Sequence, residues 1–277
     1  MKSFKILVKV VIGLIISLCL LLAYAFKIEP AMTVVHSYDL NGKTGESVKV
    51  VQLSDIQVSE TYTIKELNEL IEKVNKLSPD LIVFTGDLYD NFAEYQSVQD
   101  VTESLSKLEA TYGKYAIWGN RDYGGGAVRI YEELLTNSGF TVLKNSGVNV
   151  TISNGKKIFI GGLDDALFGN PDKDSMLADM DEDRDYAIVL MHEPDMADSL
   201  KNHFVNLLLA GHSHGGQVRI PFVKTKSTSL AEKYTDGFYT LNESTGMQLY
   251  VNTGIGTSHI PVRFMVPPEI SVFNIHL

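Results

Sequence analysis

The chain opens with an apolar run from Val10 to Phe26, preceded by Lys2, Lys5 and Lys9. As a helix rising about 1.5 Å per residue, this run falls a little short of a bilayer core of about 30 Å. Including Ile6 to Val8 lengthens it, with Lys9 free to snorkel. Beyond it the pattern changes to short apolar runs separated by helical periodicity. Val48 to Leu53 reads as a strand ending in Ser54-Asp55. Leu67, Leu70, Ile71 and Val74 recur at helical spacing within residues 64–77, and Pro79-Asp80 stops that helix. Leu81 to Phe84 predicts a second buried strand, ending in Thr85-Gly86-Asp87. A helical stretch over 97–110, a strand from Tyr115 to Trp118 ending in Gly119-Asn120, and a helical stretch over 126–138 follow.

Strand and helix alternate through this half, the signature of parallel strands with crossover helices. In such sheets ligand sites gather at the carboxyl ends of the strands. The second half is richer in strand, with runs at 140–144, 147–153 and 157–162. Ala187 to Leu190 ends at His192-Glu193, and Leu207 to Leu209 ends at Gly211-His212-Ser213-His214. Strands near 238–241, 248–251 and 270–276 close the chain. The expected fold is α/β: one domain over residues 30–277, a two-sheet sandwich flanked by helices, behind an N-terminal segment of residues 1–29.

That segment has two readings. It is a transmembrane signal anchor with its lysines cytoplasmic, or a signal peptide cleaved after Ala23-Tyr24-Ala25. The anchor fits better, because the apolar run reaches that site with no polar spacer. Either way residues 30 onward would be extracytoplasmic, at the outer face of the cell membrane, and the lack of disulfides fits a bacterial surface protein as well as anything else. Cys19 is the lone cysteine and lies inside the apolar run, so no intramolecular disulfide is available and the core must hold the fold. The net charge of -10 disfavours non-specific nucleic-acid binding. It leaves a phosphorylated substrate open, since bound cations invert the local field.

Asp55, Asp87, Asn120, His192, His212 and His214 all follow apolar runs. Carboxylates, an amide and imidazoles at five strand ends form a donor set for divalent cations. The series Asp55-x-Gln57, Gly86-Asp87, Gly119-Asn120-Arg121-Asp122, His192 and Gly211-His212-Ser213-His214 resembles the calcineurin-like metallophosphoesterase superfamily. Gly215-Gly216-Gln217, Gly254-x-Gly256-Thr257, Pro261-x-Arg263-Phe264 and Pro267-Pro268-Glu269 look more specifically like its bacterial membrane-associated branch. That branch includes enzymes acting on phosphodiesters and on a nucleotide-sugar intermediate of lipid A synthesis. The resemblance covers about residues 48–275.

The resemblance implies two divalent metal ions. Asp87 would bridge them, Asp55 and His214 would hold the first, and Asn120, His192 and His212 the second. A metal-bridging hydroxide would attack a phosphomonoester, phosphodiester or pyrophosphate in line, from a water whose pKa the metal lowers to about 7. With no cysteine ligand, Mn, Fe or Zn on O/N donors are the plausible ions. The substrate would be a phosphorylated small molecule or a lipid-linked phosphate.

Two positions depart from the family pattern. Gln57 stands where a histidine is usual; its carbonyl can still ligate, as a weaker donor. Arg121 stands where the family has the histidine near the leaving group. Arginine cannot be a general acid, but it can clamp phosphate oxygens. Asn120, Arg121 and Asp122 are therefore the expected catalytic group, with Asp122 a helper or a loop cap, and alkyl phosphomonoesters are expected to turn over slowly. The competing reading from these departures is a catalytically weakened envelope protein that binds metal and phosphate. Glu193 is expected to shape its loop, Asp164 and Asp165 to support a turn, and His203 to lie at the surface. His259 is a candidate for substrate contact, and Arg263 for a phosphate or an ion pair. Gly124 to Gly126 give clearance beside the site.

Overall fold

The apolar opening run folds as helix α1, Lys2–Ala23, with none of its side chains buried. Its 22 residues extend about 33 Å. Among the described residues of this computed structural model, 2–42, 47–223 and 228–277, it is the one helix long and apolar enough to cross a membrane. The chain continues through a π turn at Tyr24–Ile28 and a 3-10 turn at Glu29–Ala31. The turn is already part of the folded body, since Ala25 and Glu29 are buried.

Two six-stranded sheets follow. The first draws on β1 (Val34–Leu40), β2 (Ser47–Leu53), β3 (Leu81–Phe84), β4 (Lys114–Ala116) and β5 (Phe140–Val142). Helices α2 (Ile64–Lys76), α3 (Val98–Ser106), α4 (Asn120–Gly124) and α5 (Tyr131–Asn137) connect its strands. The second sheet contains β6 (Ser146–Thr151), β7 (Lys157–Gly162), β8 (Tyr186–Leu190), β9 (Leu207–Ala210), β10 (Gly237–Asn242) and β11 (Met247–Val251), with α6 (Lys173–Ala178) between β7 and β8. The last strand, β12 (Glu269–His276), returns to the first sheet, giving the order β1-β12-β2-β3-β4-β5. The second sheet runs β10-β11-β9-β8-β7-β6. As the alternation predicts, β2 through β5 pair in parallel, and so do β7, β8 and β9.

Side-chain alternation distributes each strand between two apolar layers. Val50 of β2, Val83 of β3, Ile188 of β8 and Leu209 of β9 meet between the sheets. Val51 and Phe84 face the helices, where Leu67, Leu70, Ile71 and Val74 of α2 cover them. Val189 and Leu208 pack on the outer layer of the other sheet with Met176 of α6. Strands covered on both faces read as unbroken apolar runs, which is why they are visible in the sequence. Helix α2 starts at Thr63 through a capping box: Glu66 accepts from the Thr63 N–H at 2.9 Å. Helix α5 is shorter than the predicted 126–138; Gly126, at φ +91°, holds a conformation that a helix does not use.

This topology turns the carboxyl ends of β2, β3, β4, β8 and β9 to one side of the sandwich, and every candidate metal ligand lies just beyond one of them.

Candidate metal centre

Asp55 and Gln57 follow β2, Asp87 follows β3, Asn120 opens α4 after β4, His192 follows β8, and His212 and His214 follow β9. Of these seven residues, Asp55, Gln57, Asp87, His212 and His214 hold positive φ, between 50° and 68°. The left-handed region is costly for side chains with a Cβ, and such strain persists where surrounding structure imposes it, often at functional sites. Each strand end must turn sharply to aim its donor inward. Two glycines permit the approach. A Cβ on Gly119 would collide with Asp87 and His192, and one on Gly211 with Ser54 and Asp55.

The imidazoles are oriented from behind. His192 Nδ1 lies 2.7 Å from the Thr85 carbonyl and His212 Nε2 lies 2.9 Å from the Ser229 carbonyl. A carbonyl only accepts, so each of those nitrogens carries the proton and donates. The opposite nitrogens face the site; that of His212 is bare in its neutral ring, and that of His192 becomes bare when the ring gives up its second proton. His192 Nε2 is 3.1 Å and His212 Nδ1 is 2.9 Å from Asn120 Oδ1. Asp87 Oδ1 lies 3.4 Å from His192 Nε2. Two imidazole nitrogens thus meet at one amide oxygen, with a carboxylate beside one of them, an arrangement that calls for a cation or a shared proton. A carbonyl behind a ligating histidine is the usual support of a metal site.

Around Asp55 the support is thinner. Its Oδ2 accepts from the Ser54 hydroxyl at 2.5 Å and the His212 N–H at 3.0 Å, while Oδ1 lies 3.3 Å from His214 Nε2. Gln57 donates from Nε2 to Asp87 Oδ2 at 2.9 Å. Asp55 Oδ1, Gln57 Oε1 and His214 Nδ1 are buried without a hydrogen-bond partner. Buried polar atoms are rarely left so; the two oxygens have donor chemistry that fits a divalent cation, while His214 Nδ1 is the ring nitrogen opposite the one beside Asp55. Among the described residues, two groups have donor atoms within 4.8 Å of one another: Asp55, Asp87 and His192, and His192, Glu193 and His212.

The electrostatics follow from this crowding. Burial disfavours the Asp55 charge, yet His214, His192 and the Ser54 hydroxyl hold its pKa well below the usual carboxylate range. Burial opposes a charge on His192 too, but Asp87 outweighs it and raises that pKa well above the ordinary value. Burial and the neighbouring His192 push His212 down to about 4, leaving it neutral and ready to ligate at neutral pH. Glu193 is pushed up to about 9 by burial and by Asp165.

The predicted catalytic group takes up distinct positions. The Arg121 N–H donates to Asp87 Oδ1 at 2.7 Å. Its guanidinium reaches Ser258 Oγ at 2.6 Å and His259 Nε2 at 2.7 Å, with Asp90 3.6 Å away. Asp122 is fully buried and accepts from the backbone N–H groups of Asp87, Leu88 and Gly119, each at 2.9 Å. Burial and the Asp87 charge push its pKa up to about 8, against the pull of those donors. Its oxygens therefore brace the Asp87 and Gly119 turns.

Arg121, His259, Ser258, Gln217 and Phe168 line a cavity of about 640 Å³ with Asp87, Asn120, His212 and His214. Ser258 and Phe168 escaped the sequence reading; neither follows a strand, and only the Gly256-Thr257 tail beside Ser258 marked its neighbourhood. Arg263 has no ion pair among the described residues. It is fully buried and donates to the carbonyls of Gly256, Val266, Thr253 and Gly254. Asp164 and Asp165 accept from the N–H groups of Asn170 and Phe168, as turn residues do.

The family model described as calcineurin-like phosphoesterase matches residues 48–216. The uncharacterized metallophosphoesterase YkuE of Bacillus subtilis is 41% identical over 259 residues, covering 91% of this chain and 88% of that protein. The phosphodiesterase YaeI of Escherichia coli is 26% identical, covering 82% of each. Among solved structures, a dimetal phosphatase from Danio rerio superimposes with a TM-score of 0.47 at 11% identity, over 75% of this chain and 88% of that one.

Proposed function

The chain belongs to the calcineurin-like phosphoesterase family, and from that premise we propose that it cleaves a phosphate ester at the outer face of the cytoplasmic membrane, with α1 as its anchor. It is a hydrolase of the metallophosphoesterase type. The finer reading, in which a phosphomonoester, phosphodiester or pyrophosphate of a small molecule or lipid-linked compound is cut with Mn, Fe or Zn, rests on one observation above the others. His192 Nε2 and His212 Nδ1 both converge on Asn120 Oδ1, with the far imidazole nitrogens fixed on carbonyls.

Asn120, His192 and His212 would hold one cation, Asp55, Gln57 Oε1 and His214 the other, and Asp87 would serve both. Bound there, the ions would supply Lewis acidity to the phosphoryl group and to the attacking water. Gln57 orients Asp87 through its amide nitrogen, leaving its oxygen free as a donor. Asp122 fixes the loop that presents Asp87 and the N-terminus of α4. Arg121 extends from that turn into the cavity, where a guanidinium can clamp phosphate oxygens through two N–H groups. It donates no proton to a leaving group, because arginine stays charged. Esters with good leaving groups, such as aryl esters, are therefore the favoured substrates in this reading.

Elemental analysis of the purified protein, with hydrolysis of an aryl phosphodiester in added manganese, tests the proposal. Two metals per chain and manganese-dependent turnover support it. Bound metal without turnover across several ions and ester types would transfer the case to a metal- and phosphate-binding protein.

A further inference from the structure

The turn that follows α1 is fastened to the loop that closes the cavity. The Arg263 N–H donates to the Ala25 carbonyl at 2.9 Å. The Tyr24 ring meets Phe264 edge-on, with centroids 6.4 Å apart. Buried Glu29 accepts from the Val266 N–H at 2.6 Å. Phe264 in turn joins the loop after His214: its N–H donates to the Gln217 carbonyl at 3.0 Å, and its carbonyl accepts from Arg219 at 2.9 Å. The Gln217 side chain completes the seam, donating to the Ile260 carbonyl and accepting from the Ser258 N–H, both at 2.9 Å. The foot of the anchor, the loop over residues 217–223 and the loop over residues 258–266 are thus one hydrogen-bonded unit. That unit also carries Gln217, Ser258 and His259 on the cavity wall.

The same two loops expose Ile220, Phe222, Val223, Ile260 and Met265 at 54%, 108%, 60%, 57% and 57%. Single exposed apolar side chains are ordinary, but a patch marks a partner surface. This patch begins where a helix fit to cross a membrane ends. The two loops contain no Asp or Glu, in a chain of net charge -10, so they present no acidic side chain to the negatively charged surface of anionic lipids.

We propose that these five side chains seat in the interfacial layer of the bilayer that α1 enters. The cavity mouth then opens at the lipid surface, and the site takes a phosphate ester whose apolar tail stays in the leaflet. Docking rests on the apolar rim and the anchor seam; the substrate class also rests on the phosphoesterase reading above. The lipid surface is the occupant, in preference to a second copy of the chain or a soluble protein, because the rim is continuous with the anchor. A lipid phosphate can then reach Arg121 without its tail entering water.

Full-length protein in vesicles of dioleoyl phosphatidylcholine, plain or brominated on the acyl chains, tests this. Trp118 is the sole native tryptophan and is buried, so Phe222→Trp and Ile260→Trp add readable reporters. Phe204→Trp, at an exposed position before β9, is the control for the amino ends of the strands. Brominated chains are expected to cut the added emission at positions 222 and 260 by about twofold or more, the response of side chains buried at the acyl boundary, and to leave position 204 unchanged. No quenching at 222 and 260, or equal quenching at 204, overturns the docking and returns the patch to a protein partner. Each variant is also assayed on a water-soluble aryl phosphodiester with manganese. Wild-type activity there shows that the variant is folded. Rim quenching in a wild-type background that hydrolyses no ester would retain the docking and overturn the substrate class.

Discussion

Around Asn120 both imidazoles are pinned from behind, His192 on the Thr85 carbonyl and His212 on the Ser229 carbonyl. Around Asp55, by contrast, Gln57 Oε1 and His214 Nδ1 are buried with no partner. The two halves share Asp87 and lie at the same end of the sandwich, yet one is pre-organised and the other is loosely supported. Outer hydrogen bonds fix the ring, the tautomer and the basicity of a ligating histidine. The difference teaches that the departure at Gln57 belongs to a wider local pattern. The half that lacks the family's usual imidazole also lacks the fixed support behind its remaining one. We therefore expect the Asn120 half to bind its cation more tightly.

The largest effect is expected where the halves meet. Asp87→Asn removes the shared charge and should lower turnover by about 10³-fold, the scale of losing a group that organises transition-state charge. Steady-state hydrolysis of the aryl diester checks it, and near-normal turnover would separate the halves entirely.

A second way to sharpen the contrast is pH dependence without metal. His212 has its pKa pushed down to about 4, against about 6.5 unfolded. Between those values the unfolded chain binds the extra proton, so stability is full above the upper value and falls as pH drops, by about 3 kcal/mol in all. His192 has the opposite sign. Its raised pKa contributes stability that is full below about 6.5 and is lost as pH rises through the folded value. Thermal melts of chelator-stripped protein should place the combined contribution of the two histidines highest near pH 6.5. Melts in which His212→Ala leaves the acid arm intact would show that the ring is not held neutral.

Smaller effects separate the halves directly. Gln57→His should tighten the weaker cation by about tenfold, a change within the range of ligand-support effects, and leave the stronger one in place. Binding measured by competition with a metallochromic dye reads this. Arg121→Lys keeps the charge but loses the planar fork, and should lower kcat/KM by about fivefold with little change in metal content. An unchanged kcat/KM would remove the phosphate clamp.

The contrast also marks what the sequence reveals. The candidate ligands at the strand ends are legible because β3, β8 and β9 are buried on both faces, so unbroken runs such as Leu81–Phe84 point straight at the next polar residue. Strand β1, Val34–Leu40, was not predicted. It is a largely exposed edge strand, and its partner β12 lies at the far end of the chain, so no local pattern announces it. The imidazole tautomers were equally hidden, because each depends on a carbonyl from a distant segment. Arg263 shows the limit from another side. Its type promised an anion, but the fold surrounds it with carbonyls that only the folded loop brings together. Asp122 was visible as a helper or a loop cap, and the fold engages it with three backbone N–H groups.

The most direct test of the unequal two-metal site is calorimetric titration of manganese into the chelator-stripped, full-length protein. Two binding events are expected, separated by about tenfold or more in Kd, with the tighter lost in His192→Ala and the weaker altered in Gln57→His. A single event, or two equal sites that respond alike to both substitutions, would contradict the asymmetry on which this reading of the centre depends.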